Sequence, residues 1–281
     1  NRFGIRNDNM KTKVIDRLAR PGINGFSEDA AYEGNRIFWV ADGASATQTG
    51  TFAGYASYAM WFTHLFRERF EKIASPLIPF PELVKRCVDS IEHDFPLSDL
   101  DWYDKPNFTI SAVQIDETLV RLYALGDCSL YLLKQDGTTD RLYDDRVDRY
   151  SSQTIRAAQI ARSRGEDTSM AIRSQMLKNR TARNRDGGFW VAGYGGRYDQ
   201  EFRTATYPAH DIKRIFICSD GFNRIFKEFN LYTPSDLLTG TIPLDSAYKA
   251  LYAYETAHKA DADFPCVKIH DDATALLIEF T

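Results

Sequence analysis

The stretch RIFWVADGAS, residues 36–45, carries five mostly apolar residues, Ile37 to Ala41, straight into Asp42 and Gly43. An unbroken apolar run of this length reads as a strand buried on both faces, predicted here over 36–42. Asp-Gly is also a common turn pair, because Asp bonds its own backbone and Gly allows positive φ. For one such pair a turn is the simpler reading. Recurrence of the pattern is what changes the weight.

The pattern recurs. In LYALGDCSLYLL, Asp127 follows Leu122–Gly126 at a tight connection between two apolar runs. In RIFICSDGFNRIF, Asp220-Gly221 closes the run Ile215–Ser219. In HDDATALLIEF, Asp271 and Asp272 precede a buried run, and GFSEDAAY sets Glu28-Asp29 ahead of the first strand. Carboxylates gathered at the rims of packed strands raise one another's pKa or demand a cation. Mg²⁺ and Mn²⁺ suit such a site, since they take oxygen ligands and keep several waters. The five histidines show no HxxxH or HxH spacing, so an imidazole zinc site has little support.

Around these motifs the chain alternates strand and helix signals. Residues 1–20 are polar and are expected to be a loose start. A helix is predicted from Thr47 to Phe70, because Phe52, Tyr55, Ala59, Phe62, Phe66 and Phe70 recur at spacings of three and four. A second is predicted over 81–93, a loop over 95–108, and strands over 109–115, 119–125 and 129–134. Further helices are expected over 151–177 and 244–259, and further strands over 186–193, 214–219 and 273–280. Successive strands with helices grouped before and after them indicate an α+β layered fold.

The bulk properties exclude several classes. A length of 281 residues, 43% apolar and 26% charged content, and a net charge of −4 describe a globular chain with no general affinity for nucleic acid. No apolar run is long enough for a membrane span. No secretory signal is visible. Cys87, Cys128, Cys218 and Cys266 are widely spaced and form no CxxC pair, which points to a reducing, cytoplasmic setting.

Together, SEDA, FWVADGAS, LGDCSLYLL, IFICSDGFNRIF and DDATALLIEF resemble, in order and spacing, the motifs of the metal-dependent serine/threonine protein phosphatases of type 2C, the PPM family, in its bacterial-like branch. The resemblance implies a single domain over residues 1–281, an α-β-β-α sandwich of two antiparallel sheets. It implies two Mn²⁺ or Mg²⁺ ions, with a third more weakly held. Asp42 would bridge the ions, and the Gly43 carbonyl and Glu28 would serve one of them. Asp220 and Asp271 would ligate the other, and Asp127 would help hold the third. Asp29 would orient ligands, and Asp272 would be structural. The implied reaction is hydrolysis of phosphoserine and phosphothreonine in proteins by a metal-activated water, with no covalent phosphoenzyme.

The chain departs from that pattern in ways that bear on substrate. The family's phosphate-binding arginine falls at Asn24, which offers one neutral hydrogen bond instead of a charged fork. Arg20 is a nearby substitute. Ala44 stands where many members have a histidine. Residues 141–185 hold 11 Lys/Arg against 5 Asp/Glu, leaving −10 on the rest of the chain. That segment reads either as a solvated helical face or as a basic flap beside an anionic centre, with Arg180, Arg183 and Arg185 as phosphate-binding candidates. DLDWYDKPN, residues 99–107, is read as a solvated loop in preference to a calcium loop, and His270 as a packing residue in preference to a proton carrier. Two rivals stand beside the protein phosphatase: a pseudophosphatase that binds phosphoprotein without turnover, and a phosphatase of a small phosphorylated metabolite. No membrane partner is expected.

Overall fold

In the computed structural model, which describes residues 11–44, 50–261 and 263–281, the opening stretch forms β3 (Ile37–Ala44). Side chains alternate across a strand. Ile37, Trp39 and Ala41 therefore face helices, while Phe38 and Val40 face a second sheet. That double burial is why the run lacks polar alternation. β3 lies between β2 (Ala30–Gly34) and β4 (Asn107–Ile115), and the sheet continues through β5 (Leu119–Leu125) to β9 (Arg203–Pro208). The short β8 (Ala192–Gly193) pairs with the start of β4.

The other sheet has the order β1 (Thr12–Arg20), β11 (Ala273–Phe280), β10 (Ile212–Cys218), β6 (Ser129–Lys134) and β7 (Thr139–Leu142). All pairings are antiparallel. Ile215, Ile217, Leu276 and Ile278 point toward Val40, Val113 and Leu122 of the first sheet. Phe216, Cys218, Ala275 and Leu277 point outward onto α5 (Asp220–Lys227), α6 (Pro234–Leu238) and α7 (Leu244–His258). On the opposite side α1 (Tyr58–Ile73) and α2 (Phe80–Asp94) cover Trp39, Phe108 and Ala112. The layers are α-β-β-α. α3 (Asp148–Ser163) and α4 (Thr168–Arg180) form a hairpin over one end of the sandwich.

Several expectations need correction. Residues 12–20 are not loose: they are β1, tied along its length to β11. The polar residues of β1 belong to an edge strand, where solvent satisfies them; residues 1–10 lie outside the described residues. The first helix starts at Tyr58, capped by the Ser57 hydroxyl on the Met60 amide, and not at Thr47, which also lies outside them. Phe52 and Tyr55 instead pair with each other in a backbone bridge. The helix expected over 151–177 is two, broken where Gly165 takes φ +66°. The strand expected over 186–193 shrinks to Ala192–Gly193. β2, β7, β9 and α6 carry too little apolar pattern to be predicted.

Among the described residues no helix is long and apolar enough to cross a membrane. Trp39 is fully buried, with Phe66 at 5.2 Å and Phe70 at 5.6 Å between ring centroids. Trp39→Ala is expected to cost about 3–5 kcal/mol in a urea melt; a loss under about 1 kcal/mol would contradict this packing.

Candidate metal centre

Strand ends explain how distant carboxylates meet. β3 carries Asp42 to the rim of its sheet, opposite Thr109 of β4. The chain leaves β5 through Gly126 and presents Asp127 at the same rim. β10 ends at Cys218, and Asp220 opens α5 immediately after it. Asp271 stands just before β11. Glu28 arrives from the segment before β2, with Ser57 donating to its carboxylate at 2.5 Å. All five line one cleft of about 670 Å³.

The two Asp-Gly pairs are not turns. Neither Gly43 nor Gly221 has positive φ, β3 runs on to Ala44, and Asp220-Gly221 begins a helix. Both glycines are there for space. A Cβ on Gly43 would sit 2.5 Å from the Glu28 carbonyl oxygen, and one on Gly221 would sit 2.1 Å from that of Asp272. Each glycine thus lets an acid-bearing segment close onto its neighbour.

The electrostatics divide the acids into two groups. Asp42 and Asp220 approach to hydrogen-bonding distance. Burial, then the charges of Asp220, Asp29 and Asp127, holds the Asp42 carboxyl well above the usual carboxylate range. Burial and Asp220 push Asp127 up to about 7. Asp29 lies beneath the cleft with neither oxygen in a hydrogen bond of good geometry, beside the Ser219 and Thr274 hydroxyls. Burial and Asp272 raise it well above normal. Asp271 is the opposite case. Burial opposes its charge, but Arg224 and Lys268 outweigh burial and keep its carboxyl below the usual range. Arg224 donates to Asp271 Oδ2 at 2.7 Å, and Lys268 to Oδ1 at 2.6 Å.

A hard divalent ion fits this donor set at the contact between Asp42 and Asp220. Two carboxylates pressed together at the floor of a water-accessible cleft, above a third with unpartnered oxygens, are what a cation relieves. Among the described residues no three His, Cys, Asp or Glu side chains already stand close enough to enclose one ion. Asp271 in particular reaches the cleft with both oxygens paired to cations.

Asp272 stays out of the cleft and ties it together. Its oxygens accept from the Gly22 and Glu28 amides, each at 2.8 Å. Asn24 lines the cleft. Arg20 does not; it pairs with Asp245 at 2.9 Å. The basic segment turns its charge elsewhere, correcting the expectation for Arg180, Arg183 and Arg185. Arg180 pairs with Asp104 at 3.2 Å, Arg183 donates to the Trp102 and Lys105 carbonyls, and Arg185 stacks over Trp102. Arg183 and Arg185 line a separate cavity of about 230 Å³. The physical reason is local: carbonyls and a carboxylate of the 101–105 loop lie beside these guanidinia and satisfy them. What the hairpin shows the cleft is Asp148, Ser151, Thr154, Ile155 and Met176.

Four contributors escaped the sequence reading. Buried Asp144 accepts from the Gly126 amide at 3.0 Å and from Arg146, fixing the turn that presents Asp127. Ser57, Arg224 and Lys268 are the others. Arg224 follows Asp220 by one helical turn, and Lys268 precedes Asp271 by three residues, so proximity in sequence was an available signal. His270 is a packing residue: Nδ1 lies 2.8 Å from Glu255, and its ring stacks on Tyr252.

A family model described as protein phosphatase 2C matches residues 25–241. Solved structures are similar over nearly the whole chain. They include the Mycobacterium tuberculosis serine/threonine phosphatase PstP/Ppp, at 17% identity and TM-score 0.54, covering 96% of this chain and 98% of that one. PppA, a regulatory component of the Pseudomonas aeruginosa type VI secretion system, matches at 15% identity and TM-score 0.57, covering 97% and 98%. The PstP catalytic domain in complex with two manganese ions matches at 15% and 0.56, with the same coverage of 97% and 98%. At these identities the likeness is one of fold. No curated protein matches the chain significantly.

Asp42→Asn separates repulsion from function. It removes one repelling charge, so the metal-free protein is expected to gain about 1 kcal/mol of stability. Mn²⁺ at a hundredfold its dissociation constant is expected to stabilise the wild type by about 2.7 kcal/mol and the variant far less. Thermal melts with and without metal check both; an equal Mn²⁺ response would remove Asp42 from the centre.

Proposed function

The chain belongs to the protein phosphatase 2C family, and from that premise we propose that it hydrolyses phosphoserine and phosphothreonine in proteins with the help of Mn²⁺ or Mg²⁺. The observation that carries this reading is the convergence of Glu28, Asp42, Asp127 and Asp220, from four separate parts of the chain, on one cleft. Asp42, the Gly43 carbonyl and Asp220 are the groups to hold an ion. Glu28, oriented by Ser57, serves its waters, and Asp127 contributes at the side. A bound divalent metal supplies Lewis acidity that offsets phosphoryl charge and activates water.

The chain's own residues do the rest. The Asn24 side chain at the cleft can donate one hydrogen bond to a phosphoryl oxygen. Lys227 and Lys268, each paired with an aspartate, are the lysines at the cleft, and the positive charge that attracts a phosphate dianion would come chiefly from bound metal. Asp272 and Asp144 hold the acid-bearing segments in place, so that little reorganisation accompanies the reaction. Among the described residues no histidine lines the cleft, so the departing seryl oxygen would take its proton from water or from another group. The α3–α4 hairpin contributes Ile155 and Met176 as an apolar wall.

The whole chain is read as one catalytic domain acting in cytoplasmic signalling. Its four cysteines are buried free thiols, which agrees with a reducing compartment. The pseudophosphatase reading keeps one specific support, the pairing of Asp271 with Arg224 and Lys268.

An assay with p-nitrophenyl phosphate and a phosphothreonine peptide tests the proposal. Turnover is expected with Mn²⁺, to vanish with EDTA, and to fall about a hundredfold or more in Asp220→Asn. A wild-type rate no higher than that of Asp220→Asn would favour the pseudophosphatase.

A further inference from the structure

Among the described residues three basic side chains line the acidic cleft: Arg224, Lys227 and Lys268. Lys227 is held at the hairpin side by Asp148 at 2.7 Å and the Tyr143 hydroxyl at 3.1 Å. Arg224 is buried and fully engaged. Besides Asp271 it donates to Glu255 at 3.1 Å and to the Lys268 carbonyl at 3.2 Å. Lys268 is different. Its side chain is 43% exposed, yet its ammonium sits on Asp271 Oδ1 and lies within the field of Asp42 and Glu28.

The loop before β11 is built to hold the lysine there. Arg224 fixes the Lys268 carbonyl from below. Two residues on, His270 is fixed by Glu255 at 2.8 Å and stacked on Tyr252 at 3.9 Å between ring centroids. With backbone pinned at both points, the Lys268 side chain projects over the carboxylates.

We propose that the Lys268 ammonium takes the place of a second divalent ion at Asp271, so that the centre comprises one tightly held ion at the Asp42–Asp220 contact and one tethered cation. The proposal rests on the reading that the Asp42–Asp220 contact holds a metal. Lone pairs alone do not decide the matter, because a carboxylate has about four acceptor positions. Charge does. The single negative charge of Asp271 already meets two full positive charges at contact distance. Glu255 shares the Arg224 charge, so a dication arriving there finds the attraction of Asp271 largely offset and must displace the Lys268 ammonium to gain it. Among the described residues Asp42 and Asp220 make no such ion pair with a lysine or arginine, and they keep theirs. Because Lys268 is long and partly exposed, a second ion enters only where its concentration is high enough to displace the ammonium.

The test counts ions on the metal-stripped full chain. Free Mn²⁺ is followed by electron paramagnetic resonance during titration, with calorimetry for affinity. Wild type is expected to bind one Mn²⁺ tightly. Lys268→Met, which keeps the stem and removes the charge, is expected to bind a second about tenfold or more tighter than wild type does. Lys268→Arg retains the charge and is expected to stay at one. Lys268→Gln serves as an independent neutral variant should the methionine variant fail to fold. Two ions bound with similar affinity by wild type would overturn the proposal. So would a neutral variant whose count stays at one. If wild type binds Mn²⁺ no better than Asp42→Asn, the metal reading falls and this proposal falls with it. An Asp42-dependent ion that remains the sole tight ion in both neutral lysine variants overturns this proposal alone.

Discussion

Seven acidic side chains among the described residues line one cleft, and the mutual repulsion of Glu28, Asp42, Asp127, Asp220 and Asp271, brought there from remote parts of the chain, is the constraint to which the surrounding structure answers. Like charges a few Å apart in a partly buried site are unfavourable unless protons or cations relieve them. Asp42 and Asp127 respond with raised pKa values. Asp271 responds with a pair of cations, Arg224 and Lys268. The two responses mark two kinds of position. One kind is crowded by other carboxylates, and the other is paired with cations of the chain itself.

The scaffold that bears this strain is the pair of sheets. Their inner faces interlock through aliphatic residues of β3, β4, β5, β6, β10 and β11, and their outer faces are sealed by helices. Strands buried on both sides do not shift register cheaply, because a one-residue slip would turn every side chain to the wrong face. Their ends are correspondingly well placed. Functional carboxylates at strand termini inherit that precision. Asp144 on the Gly126 amide and Asp272 on the Gly22 and Glu28 amides extend it into the loops. The close approach at Gly43 and Gly221 serves the same end, where any side chain would push two acid-bearing segments apart.

The α3–α4 hairpin shows how composition can mislead. Residues 141–185 carry a clear basic excess. Their guanidinia are drawn to nearer partners than the cleft: the 101–105 loop, Asp144 with Glu201, and aromatic faces. Net charge of a segment describes long-range attraction, whereas the direction of each side chain follows from hydrogen-bond acceptors within a few Å. Hydroxyl and apolar groups, with the Asp148 carboxylate, are what remain to face the cleft.

The layered α+β architecture, the main buried strands and the identity of the acidic cluster were legible in the linear order of residues, because double-sided burial removes polar residues from a strand and leaves an aspartate at its end conspicuous. Weakly patterned edge elements such as β1 and β9 were not, since exposed strands owe their existence to the neighbour they pair with and not to their own composition. Nor was the split among the acids. Asp42 and Asp271 look alike as letters, and only tertiary packing sets one against Asp220 and the other against Arg224 and Lys268, because a carboxylate's behaviour depends on the charges that surround it in space.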